Sequence, residues 1–77
     1  MARCYFHFQN GVLTLDRNGV DLPDMTAVRT EAVETIASAL REDAMEMLWN
    51  GDPLRLWVTD EPNGAGKTLL ALRVVRE

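Results

Sequence analysis

The chain has 77 residues, 47% hydrophobic and 26% charged, with 8 Lys and Arg against 12 Asp and Glu and a formal charge of -4. That is a single globular domain over residues 1–77, too short for two domains and too apolar for disorder. The acidic balance argues against a duplex-binding surface, and one Cys with one His excludes an internal disulfide or a four-ligand zinc site made of those residue types.

Four of the five glycines follow asparagine, at Asn10-Gly11, Asn18-Gly19, Asn50-Gly51 and Asn63-Gly64, and these pairs punctuate the chain. Arg3 to Phe8 alternates, with Cys4, Phe6 and Phe8 on one face and Tyr5 and His7 on the other, which predicts a strand. Asn10-Gly11 predicts a two-residue type I′ turn, both central residues at positive φ. That turn pairs Phe8 with Leu13, His7 with Thr14, Phe6 with Leu15 and Tyr5 with Asp16, and it keeps the large apolar pairs on one face. Asn18-Gly19 ends this second strand.

Pro23 keeps Leu22 extended, and Asp24 is placed as the N-cap of a helix. Met25, Val28, Ala32, Val33, Ile36, Leu40, Ala44 and Met47 then form an apolar stripe at helical spacing, with Arg29 inside it. Asn50-Gly51 closes the helix. About 24 helical residues span roughly 36 Å, more than a six-residue strand of roughly 20 Å. The helix therefore either overhangs the sheet, where a second subunit could cover it, or breaks near Glu42-Asp43.

Leu54 to Thr59 and Thr68 to Val75 alternate again. Pairing Val58 with Leu70 and Leu56 with Leu72 holds both apolar faces together, sets Glu61 opposite Lys67 and brings Arg55 beside Arg73, a like-charge cost. The order is β-β-α-β-β: an α+β fold in two layers, an antiparallel sheet of two hairpins with one long helix on one face.

No motif assembles a catalytic constellation, so an enzyme is not expected and no catalytic, cofactor or metal residues are assigned. Gly64-Ala65-Gly66-Lys67-Thr68 resembles the end of a P-loop. The first Gly of that motif is replaced by Glu61, and a strand pattern follows where a helix is needed. Nucleotide binding at Gly66-Lys67-Thr68 is therefore not expected. Asp16 to Asp21 lacks the Gly and Glu of a calcium loop. Cys4 and His7 lie three apart on a strand and point to opposite faces, which rules out a thiol dyad without a bulge. The carboxylate pairs Glu42/Asp43 and Asp60/Glu61 come with no pocket. No apolar run is long enough to span a membrane or to serve as a signal peptide, so the cytoplasm is the expected compartment.

The sheet face away from the helix carries Tyr5, His7, Val12, Thr14, Trp57, Leu69, Ala71 and Val75. Its aromatic and weakly charged character matches interface composition. Tyr5, His7, Thr14, Trp57, Leu69 and Ala71 are the expected contact residues for a protein partner or a homodimer, with no nucleic acid and no membrane involved.

Two resemblances accompany this reading. Arg3-Cys4-Tyr5-Phe6-His7 with Gly11 and Asp16, then Gly19-Val20-Asp21-Leu22-Pro23-Asp24 with Ala27, Arg29, Glu31 and Ala32, and Val58-Thr59-Asp60-Glu61 are similar to a family of small bacterial domains of unknown function. Members open Arg-Tyr-Tyr-Phe and start the helix after Leu-Pro-Asp. Cys4 departs from that pattern, as does the longer turn through Pro62 to Gly66. This resemblance implies a fold and no activity. At the level of layout, Asp16, Gly19, Pro23-Asp24 and Glu31-Ala32 also resemble the N-terminal domain of HicB-type antitoxins, which implies a regulator of a small toxin or RNase as the alternative. The leading expectation is a non-enzymatic interaction module that self-associates or binds a protein through its open sheet face.

Overall fold

The computed structural model describes residues 2–42 and 44–77. Strand β1 spans Ala2–Gln9, β2 Leu13–Thr14 and β3 Val20–Leu22. Helix α1 spans Met25–Arg41 and α2 Ala44–Trp49. Strand β4 spans Leu54–Thr59, a 3₁₀ turn covers Pro62–Gly64, and β5 spans Thr68–Val74. The five strands form one antiparallel sheet in the order β2-β1-β4-β5, with β3 also on β1. The predicted α+β layout holds, and the segment between the first turn and the helix supplies two short strands along one edge of β1.

Alternation along β1, β4 and β5 decides which side chains meet α1. Cys4, Leu54, Leu56 and Val58 are buried with Val28, Ala32 and Ile36 of the helix, and Phe6, Phe8, Leu70, Leu72 and Val74 pack around them. Each fully buried aliphatic side chain contributes about 1.5–3 kcal/mol. Asp24 caps α1 as predicted, its carboxylate accepting from the Ala27 N–H at 2.9 Å. The buried stripe is narrower than the spacing predicts, since Val33 is 59% exposed and Met25 38%. At 100° per residue Val33 sits one step round from Ala32, outside the arc that Val28, Ala32 and Ile36 bury. Arg29, also predicted within the stripe, is exposed.

The helical stretch is divided. Arg41 ends α1, Glu42 is its C-cap, and α2 begins at Ala44. Asp43, the other half of the predicted junction, lies outside the described residues.

In the β4–β5 pair the predicted register holds: Val58 faces Leu70, Leu56 faces Leu72, and Arg55 faces Arg73. Beyond Val58 the register shifts, and Thr59 faces Thr68. Leu69 is the extra residue of a bulge. Lys67 accordingly pairs with Asp60, not with Glu61 as predicted. The Asp60 N–H donates to the Lys67 carbonyl at 3.1 Å, and the Lys67 N–H donates to the Asp60 carboxylate at 2.8 Å.

The β1–β2 register differs from the prediction by one residue. Phe8 faces Thr14 and Gln9 faces Leu13, so the connection has three residues, Asn10 to Val12. Among the described residues Asn63 is the sole non-glycine at positive φ. The pair with two left-handed residues is therefore Asn63-Gly64, at φ 61° and 80°, and not Asn10-Gly11. The cause lies at Asp16. Its carboxylate accepts from the Phe6 N–H at 3.1 Å, a group that the shifted register, continued beyond Phe8 and Thr14, sets opposite Asp16 itself, whereas the predicted register leaves Phe6 and Leu15 a non-hydrogen-bonded pair. A side chain has taken the place of a rung of the ladder, and β2 stops after Thr14.

Candidate functional site

The face of the sheet opposite α1 is a three-strand row pattern. Tyr5, His7 and Gln9 of β1 stand opposite Thr59, Trp57 and Arg55 of β4, and Trp57 and Arg55 stand opposite Ala71 and Arg73 of β5. Two loops fold back over one end of it. The Asn63 N–H donates to the Asp16 carbonyl at 2.9 Å, tying the 3₁₀ turn to the loop after β2.

His7 lies beneath this crossing and is fully buried. Its Nδ1 accepts from the Asp16 N–H at 3.0 Å, and its Nε2 is 2.8 Å from Thr59 Oγ1. Because a backbone N–H can only donate, Nδ1 must be the unprotonated nitrogen and Nε2 must carry the hydrogen. The Thr59 hydroxyl accepts it and donates to the Glu61 carbonyl at 2.6 Å. Burial pushes the His7 pKa down, and the Asp16 charge offsets this only in part. The imidazole is thus neutral, fully hydrogen-bonded and sealed from solvent. It also packs against Trp57, with ring centroids 5.3 Å apart.

Asp16 is the second organising residue. Oδ1 accepts from the Asn18 and Gly19 N–H groups at 3.0 and 3.1 Å, and Oδ2 accepts from Phe6. Burial raises the pKa of this carboxyl, but the backbone donors of Gly19, Asn18 and Phe6, with His7, outweigh it and hold the group below its ordinary value. The Asp-rich loop that faintly matches a calcium site is a turn satisfied by its own backbone. Among the described residues no group of His, Cys, Asp and Glu is placed to hold a metal ion.

The predicted contact residues separate into three sets. Trp57 and Tyr5 are half-buried and Ala71 is exposed, all on the open face. His7 shares that face but is covered by the loops. Thr14 and Leu69 lie elsewhere. The one-residue shift puts Thr14 beside Phe8 on the helix side, and the bulge turns Leu69 toward the core, where it packs against the buried cluster. The same shift brings Leu13, 51% exposed, onto the open face beside Gln9. Sequence reasoning missed Arg55 and Arg73 as constituents of this face, although their pairing was legible. The Arg55 guanidinium lies over the Trp57 ring, 4.3 Å from its centroid, a cation–π contact.

The loop that resembles a P-loop leads into β5 rather than a helix, and the Asp60 carboxylate occupies its mouth by accepting from the Lys67 N–H. Cys4 faces the helix and His7 the opposite side, so the two are not partners. Among the described residues no helix is long and apolar enough to cross a membrane.

No curated protein and no solved structure matches the chain. The model of a family described as a domain of unknown function, DUF6894, matches residues 3–75, nearly the whole chain, and the chain belongs to that family.

Proposed function

We propose that this domain is an interaction module without chemistry of its own, and that its first partner is a second copy of itself, joined along β5 at the margin of the open face. One observation carries the reading: among the described residues β5 pairs with β4 on one side only, leaving the other edge of a seven-residue strand unpaired. A free edge of that length is a template for another strand. Antiparallel pairing of two β5 strands about Ala71 sets Leu70 against Leu72 of the second copy on the helix side and leaves the two Arg73 side chains at opposite ends of the paired segment. Like charges avoid each other, and the half-buried Leu70, Leu72 and Val74 gain cover on their open side. The exposed Ala71 at the axis presents no bulk.

The test is sedimentation velocity over a concentration series for wild type and Ala71→Lys, a substitution that places a charge at the axis of pairing. Wild type is expected to dimerise and the variant to remain monomeric with an unchanged circular dichroism spectrum. A wild type that stays monomeric at millimolar concentration sinks the proposal. The alternative, a HicB-like regulator of a toxin or RNase, has only the strand, strand and helix layout in its support.

A further inference from the structure

We propose that Arg55 and Arg73 form a binding site for a doubly charged oxyanion, a phosphate group, in the cleft at the end of the open face away from His7. This inference is independent of self-association. The two arginines are direct cross-strand partners on the same face, a placement that costs stability when neither charge is neutralised. They line a cleft of about 520 Å³ with Gln9, Gly11, Asp52 and Pro53. Asp52 weakens the positive field, yet among the described residues no carboxylate lies within 4.0 Å of either guanidinium.

The geometry suits an oxyanion in three ways. Trp57 lies under the Arg55 guanidinium at 4.3 Å, which holds that plane while its N–H edge stays available for bidentate bonding. Arg73 supplies a second fork from the neighbouring strand, so two charges meet one dianion. The Gln9 side chain, aligned with Arg55 in the same cross-strand row, adds an amide donor. A monocarboxylate would engage one guanidinium and leave the other uncompensated. A phosphate or phosphate monoester neutralises both.

The experiment is an NMR titration that follows the arginine Nε–H and Gln9 side-chain signals at constant ionic strength. Orthophosphate and glycerol 3-phosphate are the two probes, with chloride as control. Saturable shifts confined to Arg55, Arg73 and Gln9 are expected with phosphate and absent with chloride. A stronger response to glycerol 3-phosphate assigns the site to esterified phosphate, and a stronger response to orthophosphate assigns it to the free ion. Arg73→Gln and Arg55→Gln should each weaken binding about tenfold or more, as loss of a charge-assisted fork implies. Both side chains are exposed, so the fold should tolerate either change. Equal shifts with chloride, shifts centred elsewhere, or affinity unchanged in both variants would overturn the proposal.

Discussion

The Asp16 N–H donates to His7 Nδ1 at 3.0 Å, and this bond fixes the tautomer of the histidine and ties it to the residue whose carboxylate takes the Phe6 N–H beyond the end of β2. Protonating His7 would put a hydrogen on Nδ1, facing that N–H donor. Burial already disfavours the cation, so the folded pKa lies below the value of about 6.5 in the unfolded chain. Between the two values the unfolded chain binds more protons. Stability from this group is therefore fully present above about pH 6.5 and is lost as pH falls toward the folded value. A urea midpoint measured from pH 8 to pH 5 should decline on the acid side. The corresponding unfolding free energy should fall by at most about 1.4 kcal/mol per pH unit, the limit for one proton. His7→Gln should lose that slope while keeping any decline near pH 4. A wild-type profile flat through this window counts against the tautomer assignment.

Asp16 supplies the next expectation. Its carboxylate satisfies three backbone N–H groups, of Phe6, Asn18 and Gly19. Asp16→Ala strands the part-buried Phe6 donor and opens the turn, for a loss of about 2 kcal/mol. The folded pKa of Asp16 is depressed, so its contribution is present above the unfolded value of about 3.9 and disappears as pH falls below that. Wild type and Asp16→Ala should therefore converge in stability under strong acid. Denaturant unfolding at pH 7 and pH 3 decides this, and a constant gap between the two proteins would refute it.

These two residues also mark the limit of what the sequence made legible. Strand alternation in β4 and β5 was readable because both faces of each strand differ in polarity, and the Val58–Leu70 and Leu56–Leu72 pairs follow from it. Asp24 was readable because capping is local. The β1–β2 register was not. It turns on Asp16 bonding to Phe6 ten positions away, a long-range substitution of side chain for ladder that alternation cannot encode. His7 was assigned correctly to its face and incorrectly to solvent, since its cover comes from the Asp16 loop held down by a turn more than fifty residues distant. Leu69 and Thr14 changed faces through a bulge and a one-residue shift, either of which reverses parity.

The width of the helix stripe yields a paired prediction. Ile36 is 8% exposed within the core cluster, whereas Val33 is 59% exposed. Ile36→Ala should cost about 2–4 kcal/mol from lost burial and the cavity left behind. Val33→Ala should stay within about 0.5 kcal/mol, as surface changes do. In a domain of this size the first loss is a large share of total stability. Equal costs for the two would mean that α1 is rotated relative to the sheet.

Cys4 gives the last prediction. The side chain is 2% exposed, in the core beneath α1, and its thiol pKa is raised by burial and then by the charges of Asp21 and Asp60. Only the thiolate reacts, so both access and ionisation oppose modification in the folded state. An aromatic disulfide reagent at pH 8 should label the native protein more slowly than the urea-unfolded chain by on the order of a hundredfold or more, because labelling must wait for opening of the core. The rate should rise in Ile36→Ala, which weakens the same core, and should stay unchanged in Val33→Ala. Fast labelling of native wild type would place Cys4 outside the core and take the β1 face assignment down with it.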